Sequence, residues 1–174
     1  CLDSLSKLQL KCDSIISQHN TENVPTLGVE STHLTYDQLH KEVEMYHLVQ
    51  EITKHYSYLL MQMGYDGDFV QNCSIKNMWV NKNSKGTKLQ SHTHQNSLLS
   101  GAYYVESSED DKLMFFDYQN QLPVPKEPNS LSANVKEYPT PAGRLIIFTS
   151  DTVHGTNAQE SESRTVISFN IGVK

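Results

Sequence analysis

The spacing of apolar residues changes near residue 69, and this change constrains the fold more than any other feature of the chain. Before it, residues 3–19 and 35–63 place apolar side chains at every third or fourth position. This spacing predicts two amphipathic helices, the second capped by Thr35 and ended by Gly64. After it, apolar residues alternate with polar ones, and turn-forming residues recur at short intervals. We therefore expect helices first and strands afterwards.

The second part of the chain contains several predicted strands, at 70–81, 87–93, 98–106, 112–118, 144–150 and 163–173. The stretch 119–143 carries five of the six prolines, so we expect no regular element there. Antiparallel strands behind packing helices indicate an α+β fold with a β-sandwich or small barrel at its centre. A chain of 174 residues is expected to form one domain, with helical support over 1–68 and a β core over 69–174.

Composition narrows the classes of partner and compartment. The net charge is -6 and the 14 basic residues are scattered, so we expect no nucleic-acid partner. No run of 18 apolar residues occurs, and the first residues lack the order of a secretory signal, which predicts a soluble, cytoplasmic protein without a membrane partner. The acidic run at 106–111 predicts a solvated turn, and Trp79 is expected in the core. The sequence does not indicate an oligomeric state.

Three of the eight histidines are candidate metal ligands. The other five lie in the helical part and are expected at polar positions of amphipathic helices, namely His19, His33, His40, His47 and His55. His92 and His94 stand two apart on a predicted strand, so their side chains can face one cavity, and His154 follows another strand. Imidazole binds iron, zinc, copper or nickel. The three cysteines show no CxxC spacing, which argues against a thiolate zinc site.

Arg164 opens the last predicted strand, ten residues after His154. Alternation along that strand places Arg164, Val166, Ser168 and Asn170 on one face. An arginine that points into a barrel needs anionic or hydrogen-bonding partners, because an unpaired buried charge costs several kcal/mol or more. A carboxylate that accepts two hydrogen bonds is the natural partner of guanidinium.

Four motifs in a fixed order carry a family resemblance: WVN, HTHQNSLLSGAYYV, PAGRLIIFTSDTVHG and SRTVISFN. Over about residues 76–171 the chain resembles the small iron(II)/2-oxoglutarate-dependent oxygenases of the prolyl-hydroxylase-like superfamily, in particular the compact group common in phage and marine bacterial genomes. The resemblance implies a double-stranded β-helix, the jelly-roll or cupin-like fold, with packing helices before it. It also implies iron(II), 2-oxoglutarate as cosubstrate and oxygen, and the hydroxylation of a peptide side chain or a small metabolite. The expected location is the cytoplasm, including the cytoplasm of a phage-infected host cell.

The resemblance also implies roles for individual residues. His92 and His154 match the two iron-binding histidines, and Arg164 matches the arginine that binds the distal carboxylate of 2-oxoglutarate. Tyr104 matches a tyrosine that shares this carboxylate, and Asn81 is expected to face the cosubstrate.

The chain departs from the family pattern at two positions. His94 stands where the superfamily has aspartate or glutamate, so either His94 is the third iron ligand or a carboxylate such as Asp117 enters the site. Val166 stands where many relatives have serine, and Ser168 is the candidate for the missing hydroxyl contact. Two alternatives stay open: a three-histidine dioxygenase that needs no keto acid, and a non-catalytic cupin-like binding module.

Overall fold

The structure, a computed structural model, describes residues 2–19, 29–117, 126–127, 129 and 134–174. The α-helices are α1 (Leu2–His19), α2 (Tyr46–Gln62) and α3 (Gly67–Gln71). The strands are β1 (Val29–Ser31), β2 (Cys73–Ser84), β3 (Leu99–Glu106), β4 (Lys112–Phe116), β5 (Val135–Pro139), β6 (Leu145–Thr149), β7 (His154–Thr156) and β8 (Ser163–Val173). In this described part of the chain, no helix combines the length and the apolar character that crossing a membrane requires.

Within the described residues the strands form two sheets, one of five strands in the order β1-β2-β8-β3-β6 and one of three in the order β5-β4-β7. All the strand pairs are antiparallel. The sheets meet through aromatic side chains, since the rings of Phe115 on β4 and Phe148 on β6 lie 5.1 Å apart edge to face. The strands therefore enclose a space that the functional side chains can share.

The main hydrophobic core lies on the opposite face of the larger sheet, under the helices. It joins Ile52 and Leu60 of α2 to Ile167 and Phe169 of β8, all 2% exposed or less. Gly101 on β3 permits this packing, because a Cβ at that position would lie 2.3 Å from the ring of Phe169. One face of the large sheet is therefore fixed by apolar packing against the helices.

The predicted helix over 35–63 is wrong in its first third. Residues 39–41 and 43–45 form two short 3₁₀ helices, and α2 begins only at Tyr46. Thr35 lies in a turn and does not cap α2; its hydroxyl donates instead to the carbonyl of His19 at the end of α1. The reason is tertiary, because Gln38 pairs with Met78 and the backbone N–H of Met78 donates to the carbonyl of Asp37. Pairing with β2 thus overrides the helical period.

Two strand predictions and one loop prediction also need correction. Residues 67–71 form α3, capped by Asp66, so β2 starts at Cys73 and not at residue 70. Residues 87–93 form no strand, although His92 makes one isolated bridge to His154. The stretch 119–143 was expected to be irregular, yet β5 pairs with β4 and ends at Pro139; residues 118–125, 128 and 130–133 lie outside the described part. The division at residue 68 stays a prediction, and that residue falls inside α3.

Candidate active site

The three histidines singled out from the sequence meet between the two sheets. The ligand atoms of His92, His94 and His154 all lie within 4.8 Å of one another, and the Nε2 atoms of His94 and His154 are 3.3 Å apart. Two nitrogens bound to one metal ion at about 2.1 Å in neighbouring positions are separated by about 3 Å. The cluster is therefore close to the geometry of a shared metal ion.

Backbone contacts hold this cluster in place. The N–H and carbonyl groups of His92 and His154 bond reciprocally at 2.9 and 3.0 Å, and the N–H of His94 donates to the carbonyl of Ser150 at 2.9 Å. Gly155 allows the chains to approach, because a Cβ there would lie 2.9 Å from the carbonyl oxygen of Leu89. The segment before β3 and strand β7 thus fix the three imidazoles together.

Hydrogen bonds also set the tautomers. Nδ1 of His92 lies 2.9 Å from the carbonyl oxygen of Gln90, and Nδ1 of His154 lies 2.9 Å from that of Thr152. A carbonyl only accepts, so both Nδ1 atoms carry the hydrogen and both Nε2 lone pairs are free for a metal. Burial first, and then the neighbouring histidines, lower the pKa of His94 and of His154 to about 4. These two rings are neutral at pH 7, as metal ligands must be.

Arg164 enters the same enclosed space from β8. It is only 2% exposed, and its Nε and Nη1 atoms have no hydrogen-bond partner among the described residues. Burial lowers the pKa of its guanidinium, while Tyr104 and Asp111 oppose that shift. No ion pair in the described part of the chain includes Arg164. A buried cation with two unused donors is suited to an anionic ligand.

Tyr104 and Asn83 lie beside this arginine. Tyr104 is 2% exposed and stands opposite Val166 on the same sheet face. Burial raises the pKa of its phenol, which therefore stays protonated and able to donate, although the charge of Arg164 lowers that pKa. Asn83 lies opposite Arg164, and its buried Oδ1 has no partner among the described residues. Alternation from Asn81 was the sequence signal that could have identified Asn83.

Asn81 and Ser168 lie farther along the same wall and contact each other. Nδ2 of Asn81 donates to Oγ of Ser168 at 3.0 Å, and its Oδ1 accepts from Oγ of Ser31 at 2.7 Å. Ser168 is four residues from Arg164, or about 13 Å along a strand. The two side chains are therefore too far apart to bind one carboxylate group together, and a role of Ser168 in place of the serine that Val166 replaces stays a prediction.

Two side chains without a sequence-derived role lie close to the histidines. Oγ of Ser100 donates to Oδ1 of Asn170 at 2.8 Å, and the side chain of Asn170 raises the pKa of His94 against the effect of burial. His33 was expected on a helix, but it lies in a turn and stacks on Trp79 with ring centroids 4.2 Å apart. Trp79 is buried as expected, yet it also stacks on His94 at 6.2 Å.

Asp117 is not part of the histidine group. Its backbone N–H donates to the carbonyl of Asn134 just after β4, and the residue is exposed. The acidic turn at 106–111 is not fully solvated as expected, since Asp111 is completely buried.

A groove of about 430 Å³ lies along β6, and its lining includes Phe148, which contacts His154. The ring of Phe148 in its wall lies 4.5 Å from that of His154. The groove is lined by Phe115, Tyr138, Arg144, Leu145, Ile146, Ile147, Phe148 and Thr152. An organic substrate that lies in this groove would approach the histidines past aromatic rings.

These residues fit a divalent transition metal with a dicarboxylate ligand. Three imidazole nitrogens suit iron among other metals, and they leave part of its coordination sphere open. The two orphaned donors of Arg164 provide the charge and the fork geometry for a carboxylate.

Solved structures share this architecture. HygX from Streptomyces hygroscopicus, solved with nickel and 2-oxoglutarate bound, is 12% identical, with a TM-score of 0.65 over 100% of this chain and 80% of that chain. The epimerase SnoN from nogalamycin biosynthesis is 12% identical, with a TM-score of 0.69 over 98% and 74%. A Pseudomonas putida prolyl-4-hydroxylase is 9% identical, with a TM-score of 0.64 over 100% and 88%. The double-stranded β-helix with packing helices is confirmed.

The sequence comparisons identify the family. No curated protein sequence matches the chain. The family model 2OG-FeII_Oxy_5, which describes 2OG-Fe(II) oxygenases, matches residues 77–170, more than half of the chain. That segment contains the three clustered histidines and Arg164. Such enzymes use iron(II), 2-oxoglutarate and oxygen. The chain therefore belongs to the 2OG-Fe(II) oxygenase family.

Proposed function

We propose that this oxygenase hydroxylates a peptide side chain or a small metabolite, with His92, His94 and His154 as the iron ligands. In this proposal Arg164 binds the distal carboxylate of 2-oxoglutarate. One observation carries the assignment: the buried guanidinium of Arg164 keeps two unpartnered donors in the barrel that holds the histidine cluster. If Arg164 had only a structural role, its buried guanidinium would be expected to have hydrogen-bond or ionic partners.

We assign the remaining residues of the wall to contacts with the two ends of the cosubstrate. Tyr104, protonated because burial raises its pKa, donates to the carboxylate that Arg164 binds. Asn81 and Ser168 are linked to each other and stand nearer the histidines, so we assign them to the keto-acid end. Hydrogen bonds to carbonyl groups hold His92 and His154 in the metal-binding tautomer.

Bound iron(II) would supply the oxidising chemistry together with 2-oxoglutarate and oxygen. In this chemistry 2-oxoglutarate loses carbon dioxide and becomes succinate. The protein orients the parts and excludes water from them. Phe115 and Phe148 form an aromatic wall beside His154, which keeps the reacting carbon of a substrate in a largely apolar surrounding.

The relatives leave the substrate class open. HygX has been solved with hygromycin B and SnoN with nogalamycin RO, whereas the third relative is a prolyl-4-hydroxylase. SnoN is an epimerase, so family membership alone does not fix hydroxylation as the outcome.

The direct test is anaerobic titration of the iron(II) protein with 2-oxoglutarate. We expect a weak visible charge-transfer band that is absent in Arg164→Met and in His154→Ala, followed by succinate formation when oxygen is admitted. Ile52→Ala in α2, far from the site, is the control and should keep the band. A wild-type protein with neither band nor succinate would contradict the proposal.

The role of His94 has a separate test. If His94 binds the metal, His94→Asp retains iron binding and His94→Ala weakens it by about 10-fold or more. Trp79 is the single tryptophan and stacks on His94, so its fluorescence should report metal titration. Equal metal affinity in wild type and His94→Ala would remove His94 from the ligand set.

The three-histidine cluster also favours one competing function, a dioxygenase that needs no keto acid. In that case Arg164 would hold a carboxylate of the substrate itself. Consumption of oxygen with a substrate but without 2-oxoglutarate would select this alternative. The non-catalytic binding module does not agree with membership of an oxygenase family.

A further inference from the structure

A buried carboxylate lies at the turn before β4, close enough to Arg164 for the two charges to interact. Asp111 is 0% exposed, and donors from two segments converge on it. Its Oδ1 accepts from the backbone N–H groups of Glu160 at 2.9 Å and Ser161 at 3.4 Å, and its Oδ2 accepts from Oγ of Ser161 at 2.5 Å. The N–H of Ser108 adds a longer contact of 3.4 Å. Although burial raises the pKa of Asp111, these hydrogen bonds and the charge of Arg164 hold it below its usual value.

A second buried polar side chain holds the same loop from the opposite side. Gln159 is 2% exposed, and its Nε2 donates to the carbonyl oxygens of Asn83 at 3.1 Å and Ser161 at 2.9 Å. Its backbone also bonds to Gly86 and Thr87, at 2.9 Å each. The loop 157–162 is thus tied to the end of β2 on one side and to the turn before β4 on the other.

This loop joins the two halves of the proposed site. It begins after β7, which carries His154, and it ends at β8, where Arg164 is the second residue. The anchoring of this loop is therefore one constraint on the position of Arg164 relative to the histidines, beside the pairing of Arg164 with Asn83 in the sheet. An anchored residue keeps its donors aimed at one point, and a displacement of about 1 Å can cost about 100-fold in rate.

We propose that Asp111 and Gln159 form a clamp that positions Arg164 for the distal carboxylate of 2-oxoglutarate. This inference rests on the proposed role of Arg164. The clamp residues are positioning residues, since neither is placed against the cosubstrate. Their effect should fall on cosubstrate affinity and leave the histidine cluster unchanged.

The test compares Asp111→Ala with Asp111→Asn. Alanine removes the carboxylate oxygens that accept from the N–H groups of Glu160 and Ser161. We therefore expect the KM for 2-oxoglutarate to rise about 10- to 100-fold. Asparagine keeps an acceptor for the two backbone N–H groups, so its KM should stay within about 3-fold of wild type. In both variants kcat at saturating 2-oxoglutarate and the affinity for metal, read from Trp79 fluorescence with cobalt(II), should change by about 2-fold at most.

Two further variants keep the test decisive if Asp111→Ala does not fold. Gln159→Met preserves volume and removes both side-chain hydrogen bonds, so it should raise the KM for 2-oxoglutarate by about 10-fold. Ile52→Ala loses stability at a distant core position and should leave that KM unchanged. Loss of stability alone is therefore not expected to raise the KM for 2-oxoglutarate.

Hydrogen exchange supplies a readout that needs no cosubstrate. Backbone amides of residues 160–165 should exchange faster in Asp111→Ala and in Gln159→Met than in wild type. Unchanged exchange there, an unchanged KM, or an equal loss of metal and cosubstrate binding would overturn the clamp. A wild-type protein without any response to 2-oxoglutarate would instead overturn the proposed function, and the exchange result would still decide whether the loop is clamped.

Discussion

The two faces of β8 are both largely buried but differ in chemistry. Toward the helices it presents Ile167 and Phe169, both 0% exposed, and toward the barrel it presents Arg164, which is 2% exposed. The apolar side chains pack in the main core, whereas the guanidinium has donors without partners among the described residues. The buried apolar face therefore stabilises the fold, whereas the buried polar face keeps hydrogen-bond donors without partners that a ligand can use.

The magnitudes support this division. Burying a large apolar side chain contributes about 1.5–3 kcal/mol. A charged group buried without a partner opposes folding by several kcal/mol. Such a cost is tolerated when a ligand supplies the missing partner, so the stability of the polar face should depend on the cosubstrate, and that of the apolar face should not.

The largest effect is expected for Arg164→Met. This change keeps much of the volume and removes the charge, so two charge-assisted hydrogen bonds worth about 1.5–3 kcal/mol each are lost on binding. We expect about 10²- to 10⁴-fold lower kcat/KM for 2-oxoglutarate. Thermal unfolding without ligands should occur at an equal or higher temperature than in wild type, because an uncompensated buried charge is gone. A large drop in that temperature would show that Arg164 is structural.

The opposite pattern is expected for Ile167→Ala on the other face. Loss of a fully buried isoleucine should lower the free energy of unfolding by about 2–5 kcal/mol, measured by urea denaturation. The affinity of the folded protein for 2-oxoglutarate should remain close to that of wild type. If this variant lost cosubstrate binding as strongly as Arg164→Met, the two faces would not be independent.

A smaller loss of stability is expected when the apolar face is overfilled. In Gly101→Ala the new Cβ would meet the ring of Phe169 at 2.3 Å and the carbonyl oxygen of Ile146 at 2.8 Å. Overpacking of this kind costs about 1–3 kcal/mol. Denaturant titration should show this loss, and metal binding followed through Trp79 should be retained. Wild-type stability would mean that the ring of Phe169 moves aside freely.

The smallest effect is expected for Ser168→Ala on the polar face. The hydroxyl accepts from Nδ2 of Asn81 at 3.0 Å, and Ser168 lies four residues along β8 from Arg164. Loss of one neutral hydrogen bond is worth about 0.5–1.5 kcal/mol, which corresponds to a rise of about 2- to 12-fold in the KM for 2-oxoglutarate. A loss comparable to that of Arg164→Met would place Ser168 at the carboxylate after all.

The two faces of β8 could be predicted from the sequence, because side chains alternate between the faces of a strand at every second residue. The same rule placed Arg164 and Ser168 on the polar face and Ile167 on the apolar one. It also brought His92 and His94 to one side, although their segment is not a regular strand. Strong local patterns therefore sufficed for five of the eight described strands, β2, β3, β4, β6 and β8, and for the members of the histidine cluster.

The missed features depend on contacts between distant segments. The helix expected from Thr35 is interrupted because Gln38 pairs with Met78, forty residues away along the chain. His33 follows the polar pattern of a helix surface, yet a turn brings it onto Trp79. Asp111 sits in an acidic run that favours solvent, and only the distant loop that binds it makes its burial possible. No local pattern encodes such partners.

The central claim is that Arg164 binds the distal carboxylate of the cosubstrate. Its most direct measurement is binding of 2-oxoglutarate and of 2-oxopentanoate, in which a methyl group replaces that carboxylate, to the metal-loaded wild type and to Arg164→Met. We expect wild type to prefer 2-oxoglutarate by about 10²-fold or more, and Arg164→Met to bind the two acids about equally. If the preference for 2-oxoglutarate were unchanged in Arg164→Met, the carboxylate would be bound elsewhere and the account would be contradicted.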